Sequence, residues 1–299
     1  MSGGSFLGRL RRGTRWTWTS DSYRAALPAD LEATVMSLPV LDRHHAKQGR
    51  STGRVRFDSA CGPLTVYLKR HDRLPWFSRA AAMIAPRGGR HTPATAEWHH
   101  LEQARALGVP VPDVVAVGET IGPWGALSSF LMVAELTGCE ALNEVLPSLK
   151  ASMSAREFAS LKRALIPEMA EITARLHRAR AFHKDLYLCH FYLDLGASAR
   201  AGSKLTLIDL HRLGRHRWTA LRWRWKDLGQ LLYSTFGVEG IDDRDRRRFW
   251  SHYRRRMHLA CPAWQARRVA AKAARYRAHH QRTNGSGRNG MEGRECDWR

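Results

Sequence analysis

From Arg54 onward, apolar and polar residues alternate: Val55 and Phe57 interleave with Arg54 and Arg56, a turn cluster runs from Ser59 to Pro63, and Leu64 to Lys69 alternates again. Period two predicts strands, and two such runs around a turn predict a hairpin that closes at Lys69. The period then lengthens to three and four. Trp98, Leu101, Ala104 and Leu107 share one helical face, with Thr92 as cap, Pro93 at the first helical position, Glu97 in the first half and Gly108 as stop. Val114 to Val117 reads as a strand, Gly122 to Gly125 as a turn and Leu127 to Leu136 as a second strand, before a polar break at Thr137-Gly138. Two hairpins flanking one helix predict a small β-rich N-terminal lobe, with Glu135 to Gly138 as its connector.

Helical periodicity dominates the rest. Ser154 to Glu157 has capping-box spacing, and Phe158, Leu161, Leu165, Met169, Ile172 and Leu176 step by three or four, with Pro167 as a point where this helix splits or kinks. Phe191 to Leu195 and Leu205 to Asp209 read as a short hairpin; helices are expected over about 223–236, 242–256 and 262–280. The expected organisation is α+β: an irregular arm over 1–43, ordered in part by Trp16 and Trp18, an N-lobe over 44–138, a larger helical C-lobe over 139–282, and a disordered basic tail over 283–299.

Charge changes the picture most. Forty-nine Lys and Arg against 27 Asp and Glu give a formal net charge of +22 over 299 residues, a field that gathers anionic partners. Nucleic acid is disfavoured, because neither zinc-finger spacing nor the aromatic-glycine signature of an RNA-binding sheet occurs. An anionic membrane surface is a second candidate, with the arginines between Arg244 and Arg277 as its contact. Five scattered cysteines without a C-x-x-C pair argue against a disulfide framework or zinc site and for a reducing compartment. With no run of roughly 18 apolar residues, the expectation is a cytoplasmic protein, peripheral on the inner face of the membrane. Oligomeric state is not legible.

The chemistry-bearing residues appear in a fixed order. Phosphoryl transfer needs a group to hold ATP phosphates, a metal to neutralise them, and a carboxylate to take the acceptor's proton. Lys69 ends a strand and Glu97 on the next helix can pair with it. Asp185 has His183 two residues before and His190 five after, the spacing of a kinase catalytic loop in which the later position binds metal. Asp209 closes the apolar run Leu205 to Ile208 and is the expected Mg²⁺ ligand. Residues 47–54, with Gly49 and Gly53, occupy the place of a phosphate-covering loop without being G-x-G-x-x-G. The backbone at Glu135 and Leu136 is the expected adenine contact. Any one of these residues alone is more simply a surface or cap residue; the ordered set is not.

His183-Lys184-Asp185-Leu186-Tyr187-Leu188-Cys189-His190-Phe191, followed by Ile208-Asp209-Leu210-His211-Arg212, resembles the lipopolysaccharide core kinases, the Kdo and heptose kinases of the WaaP (RfaP) type. The resemblance spans roughly residues 47–236. It implies a protein-kinase-like two-lobed fold, ATP with Mg²⁺, and a sugar hydroxyl of the lipopolysaccharide core or a related glycolipid as acceptor. Asp185 is then the base, Lys69 the phosphate-holding lysine, Glu97 its partner, Asp209 the principal metal ligand and His190 the stand-in for the metal-binding Asn. His190 has the alternatives of contacting a phosphate or ordering the loop. His183 and Asp227 are supports, the latter bracing the catalytic loop. Two other functions stay open on the residues alone: a kinase for proteins or small alcohols, disfavoured in its protein version by the lack of Ala-Pro-Glu after Asp209, and a pseudokinase-like polyanion binder.

Overall fold

A computed structural model describes residues 6–39, 50–59, 62–72, 76–84, 88–196 and 204–285. The chain divides into two compact units, one of Met1–Cys139 with Tyr192–Gly214 and one of Glu140–Phe191 with Arg215–Arg299.

The first unit is built on a five-stranded antiparallel sheet of order β1-β4-β5-β3-β2, from β1 (Thr14–Thr19), β2 (Arg50–Ser59), β3 (Gly62–His71), β4 (Val114–Ile121) and β5 (Leu127–Ala134). The β2/β3 hairpin sets Val55 opposite Val66 and Gly53 opposite Leu68. Alternation sends Val55, Val66, Leu68, Phe130 and Met132 into one apolar cluster, which Leu31 and Val35 of α2 (Leu31–Ser37) complete. α4 (Pro93–Ala106) starts as its sequence demands: the Thr92 hydroxyl accepts the Thr95 N–H at 3.1 Å, Pro93 follows, and Gly108 takes φ +70° beyond the end.

Over its described residues, 6–39, the arm is more ordered than Trp16 and Trp18 alone suggested. α1 (Phe6–Arg12), β1 and α2 come from it, and β1 pairs with β4, Trp16 opposite Glu119. Trp16 and Trp18, two apart on β1, project to one side and meet the Trp98 ring at 5.5 and 5.3 Å. A short helix α3 (Trp76–Ile84) also precedes α4, and Met83 and Ala82 bury against Ile121 and Leu127.

The second unit is helical: α5 (Leu142–Ser152), α6 (Ala155–Arg178), α7 (Ala220–Ser234), α8 (Asp243–Arg256) and α9 (Pro262–Gly285). α6 runs through Pro167 as one element rather than splitting, and α7 begins earlier than its periodicity suggests. Ala170 and Ala174 of α6, Leu228 of α7, Tyr253 of α8 and Val269 of α9 form one core. The basic stretch after Pro262 is thus partly structural: Val269 and Ala273 are buried, and Arg268 lies 5.1 Å from the Trp225 ring. The tail beyond residue 285 and Gly49 lie outside the described residues. No helix among the described residues is long and apolar enough to cross a membrane.

Candidate active site

Lys69 lies inside β3, which runs on to His71 instead of closing at the lysine, and its ammonium donates to Glu97 Oε1 of α4 at 2.6 Å while standing 3.6 Å from Asp209 Oδ1. Glu97 is almost wholly buried, whereas the Asp209 side chain keeps 28% exposure. Burial pulls the Lys69 pKa down, but the carboxylates of Glu97 and Asp209 overcome it and the net shift is upward, so the ammonium stays charged. Asp209 follows the strand Leu205–Leu207 in the left-handed region at φ +61°, a conformation Asp tolerates better than most residues. Two histidines fix that turn. His211 Nδ1 is 2.7 Å from Asp209 Oδ1, and His100, one turn along α4 from Glu97, reaches the Leu210 carbonyl at 3.0 Å. One helix face therefore holds both Lys69 and the Asp209 turn.

In the second unit the segment after α6 forms a loop braced from below. Asp227 of α7, fully buried, accepts the His183 and Lys184 N–H groups, each at 2.8 Å. His177 bridges Asp227 Oδ2 at 3.3 Å and the Tyr253 hydroxyl at 2.7 Å. Burial lowers the His177 pKa against the pull of Asp227, and burial raises that of Tyr253, so both are neutral hydrogen-bonding groups. Held this way, the loop presents Asp185. Lys226 stands 3.6 Å from Asp185 Oδ1 and donates to the Lys184 carbonyl; the Gln230 amide lies 3.4 Å from the same oxygen and 2.8 Å from the Tyr187 hydroxyl.

His190 donates from Nδ1 to the Asp185 carbonyl at 2.7 Å, and its ring stacks on His183 at 5.4 Å. That bond gives it a loop-ordering contact and leaves Nε2 as the ring's acceptor nitrogen when neutral. Among the described residues, no three His, Cys, Asp or Glu side chains converge as a self-sufficient metal cage. Mg²⁺ needs none, since it is commonly held by one or two carboxylates with substrate phosphates and water.

Two expectations need correction. Gly53 is not in a loop; it sits within β2, opposite Leu68. Glu135 does not offer its backbone N–H to a ligand, because that group donates to the Thr65 carbonyl at 3.1 Å, and its carboxylate is clamped by Arg54 Nε at 2.5 Å and Nη2 at 2.9 Å. Lys226, Gln230, His211, His100, His177 and Tyr253 were not singled out from sequence. His211 lay inside the run Ile208 to Arg212, and Lys226 adjoins Asp227; neither carried a local signal of its partner.

The profile of the "Lipopolysaccharide kinase (Kdo/WaaP) family" matches residues 86–253, more than half of the chain. The chain belongs to that family. It is a kinase for a sugar hydroxyl of lipopolysaccharide, with a protein-kinase-like fold. It is 29% identical over 70% of its length to the lipopolysaccharide core heptose(I) kinase WaaP of Pseudomonas aeruginosa, covering 75% of that protein. With WaaP of Escherichia coli K12 the identity is 31% over 54% of the chain, and the match spans only 59% of that relative. A solved structure of "WaaP in complex with acyl carrier protein" superimposes with a TM-score of 0.62 at 27% identity, covering 87% of this chain and 98% of that one. Within the kinase, the matched segment contains Glu97, Asp185, Asp209 and Asp227, while Lys69 lies before it.

Proposed function

We propose that this kinase moves the terminal phosphoryl group of ATP to a hydroxyl of the inner-core heptose, the acceptor for which its relatives are named, on the cytoplasmic side where ATP is supplied. The Lys69 ammonium between Glu97 at 2.6 Å and Asp209 at 3.6 Å carries the reading. A cation fixed by one buried carboxylate and shared with a more exposed one suits the receipt of phosphate oxygens. In this reading Lys69 holds the ATP phosphates and Glu97 holds Lys69. Mg²⁺, when bound, neutralises charge on the phosphate oxygens, and a partly exposed carboxylate such as Asp209 is the hard oxygen donor it prefers. His211 keeps that carboxylate in place. Asp185 accepts the proton of the sugar hydroxyl, with Asp227 holding its loop and His190 ordering it. Leu136 N–H is the adenine-facing donor.

Transfer of labelled phosphate from ATP to purified deep-core lipopolysaccharide acceptors tests this, with Asp185→Asn and Asp209→Asn as controls. Label on heptose in the wild type alone is expected. Label on Kdo instead would move the acceptor assignment, and no transfer with equal anionic-lipid binding by all three forms would sink the enzyme reading.

We propose acyl carrier protein as a partner of this chain as well. The structural neighbour was solved with that partner. Further support is an apolar cavity of about 400 Å³ in the second unit, lined by Leu142, Leu165, Leu231, Phe249 and Trp250, with Arg247 and Arg254 also on its wall. Such a volume and lining suit a ligand with an apolar chain and an anionic carrier. Purified acyl-loaded carrier should bind in calorimetry and carrier lacking the chain should not; Leu231→Trp should abolish the difference.

A further inference from the structure

Beside the catalytic loop, the second unit carries a basic groove with an apolar tip. The chain leaves α6 through Arg180, at φ +53°, and His216 to Leu221 runs alongside. Two bonds tie them: the His216 N–H donates to the Arg180 carbonyl at 2.9 Å, and Arg180 Nη1 donates to the Arg217 carbonyl at 3.0 Å. The groove between them, about 520 Å³, is lined by Arg178, Arg180, Arg217 and Arg224. The start of α7 opens beside it with no side-chain cap and no acidic residue in its first turn, which adds the positive end of a helix dipole to the arginines. Glu171, at 3.1 Å, offsets Arg178.

On the rim, Trp218 is 93% exposed and Leu221 46%. The structure leaves the Trp218 ring in solvent, with the Arg217 guanidinium 5.9 Å from it. An indole offers roughly 150–250 Å² of surface whose burial is favourable, and water provides none of that. Indole and leucine among arginines is the composition of an interfacial anchor, in which rings sit at headgroup level and guanidinium groups meet lipid phosphates.

Arg222, next along α7, is exposed, with its guanidinium 5.6 Å from the Trp223 ring. We propose that Arg180, Arg217, Trp218, Leu221 and Arg222 form a face that docks the enzyme on an anionic bilayer. The segment also reaches the chemistry. His216 stacks on Trp223 at 4.6 Å, and the Lys184 ammonium lies 5.1 Å from the Trp223 ring, one residue before Asp185. A bilayer held there brings a lipid-anchored acceptor to the loop that carries the base. The inference goes beyond the kinase reading and does not depend on which sugar is phosphorylated, so the two fail separately.

The test is sedimentation of the full chain with vesicles of phosphatidylethanolamine and phosphatidylglycerol, and with phosphatidylcholine vesicles as the neutral control. The wild type should partition onto the anionic vesicles only. Trp218→Ala should bind about tenfold more weakly through lost apolar burial, and Arg217→Glu/Arg222→Glu at least about 30-fold more weakly, both with unchanged melting temperature, since each cation lost near such a surface is worth on the order of 1 kcal/mol and each added carboxylate is repelled. Arg217→Lys/Arg222→Lys should bind as the wild type does. Equal sedimentation of all forms overturns the proposal. So does complete competition by soluble glycerol phosphate at constant ionic strength, which would give the groove to a small free anion.

Discussion

The ammonium of Lys226 stands 3.6 Å from the carboxylate of Asp185. In the proposed reaction Asp185 takes a hydroxyl proton as a carboxylate. A fixed cation at that distance orients the carboxylate and adds positive potential where negative charge moves. Lys226→Met is expected to lower kcat by about 10²-fold, the scale of losing one fixed electrostatic group, with KM for ATP little changed. Lys226→Arg should recover part of it. Steady-state kinetics with labelled ATP decide, and an unchanged kcat in the methionine variant removes Lys226 from the chemistry.

Asp227, His177 and Tyr253 form one buried chain of hydrogen bonds ending on the backbone of the catalytic loop. Because Asp227 is fully buried and accepts two N–H groups, Asp227→Asn should cost about 3 kcal/mol in urea unfolding. Tyr253→Phe removes one bond and should cost about 1–2 kcal/mol. The two should be less than additive, since both act through His177. Strict additivity would break the chain.

His71, on β3, is held neutral: burial first, then the charges of Arg50 and Lys69 and the nearby His211, push its pKa from 6.5 down to about 4. Between those values the unfolded chain binds a proton that the folded chain refuses. Stability is therefore full above pH 6.5 and falls as the pH drops toward 4, by on the order of 3 kcal/mol from this one group. His71→Gln should flatten that slope relative to the wild type in urea titrations at about pH 7, 5.5 and 4.5. Parallel curves for the two proteins would mean His71 is not the titrating group.

Trp98 receives both Trp16 and Trp18, so it clamps β1 to the sheet. Trp98→Ala should destabilise the first unit by about 2–3 kcal/mol and make the chain before Asp21 cleavable by protease under native conditions. Cleavage at the wild-type rate would show that strand pairing with β4 alone suffices.

The sequence by itself determined the elements whose signals are local. Alternation fixed the β2/β3 hairpin, capping residues and a 3.6-residue period fixed α4 and α6, and the ordered spacing of Lys69, Glu97, Asp185 and Asp209 pointed to phosphoryl transfer, because strand ends and helix starts recur at short range. Only the tertiary structure decided what depends on distant partners. It made a sheet strand of part of the arm through Trp98, took the Glu135 N–H for Thr65, brought Lys226 to Asp185 and Tyr253 to His177, and left Trp218 in water. Each of these is a contact across tens of residues, or the lack of one, whose energy comes from burial and geometry that no local pattern encodes.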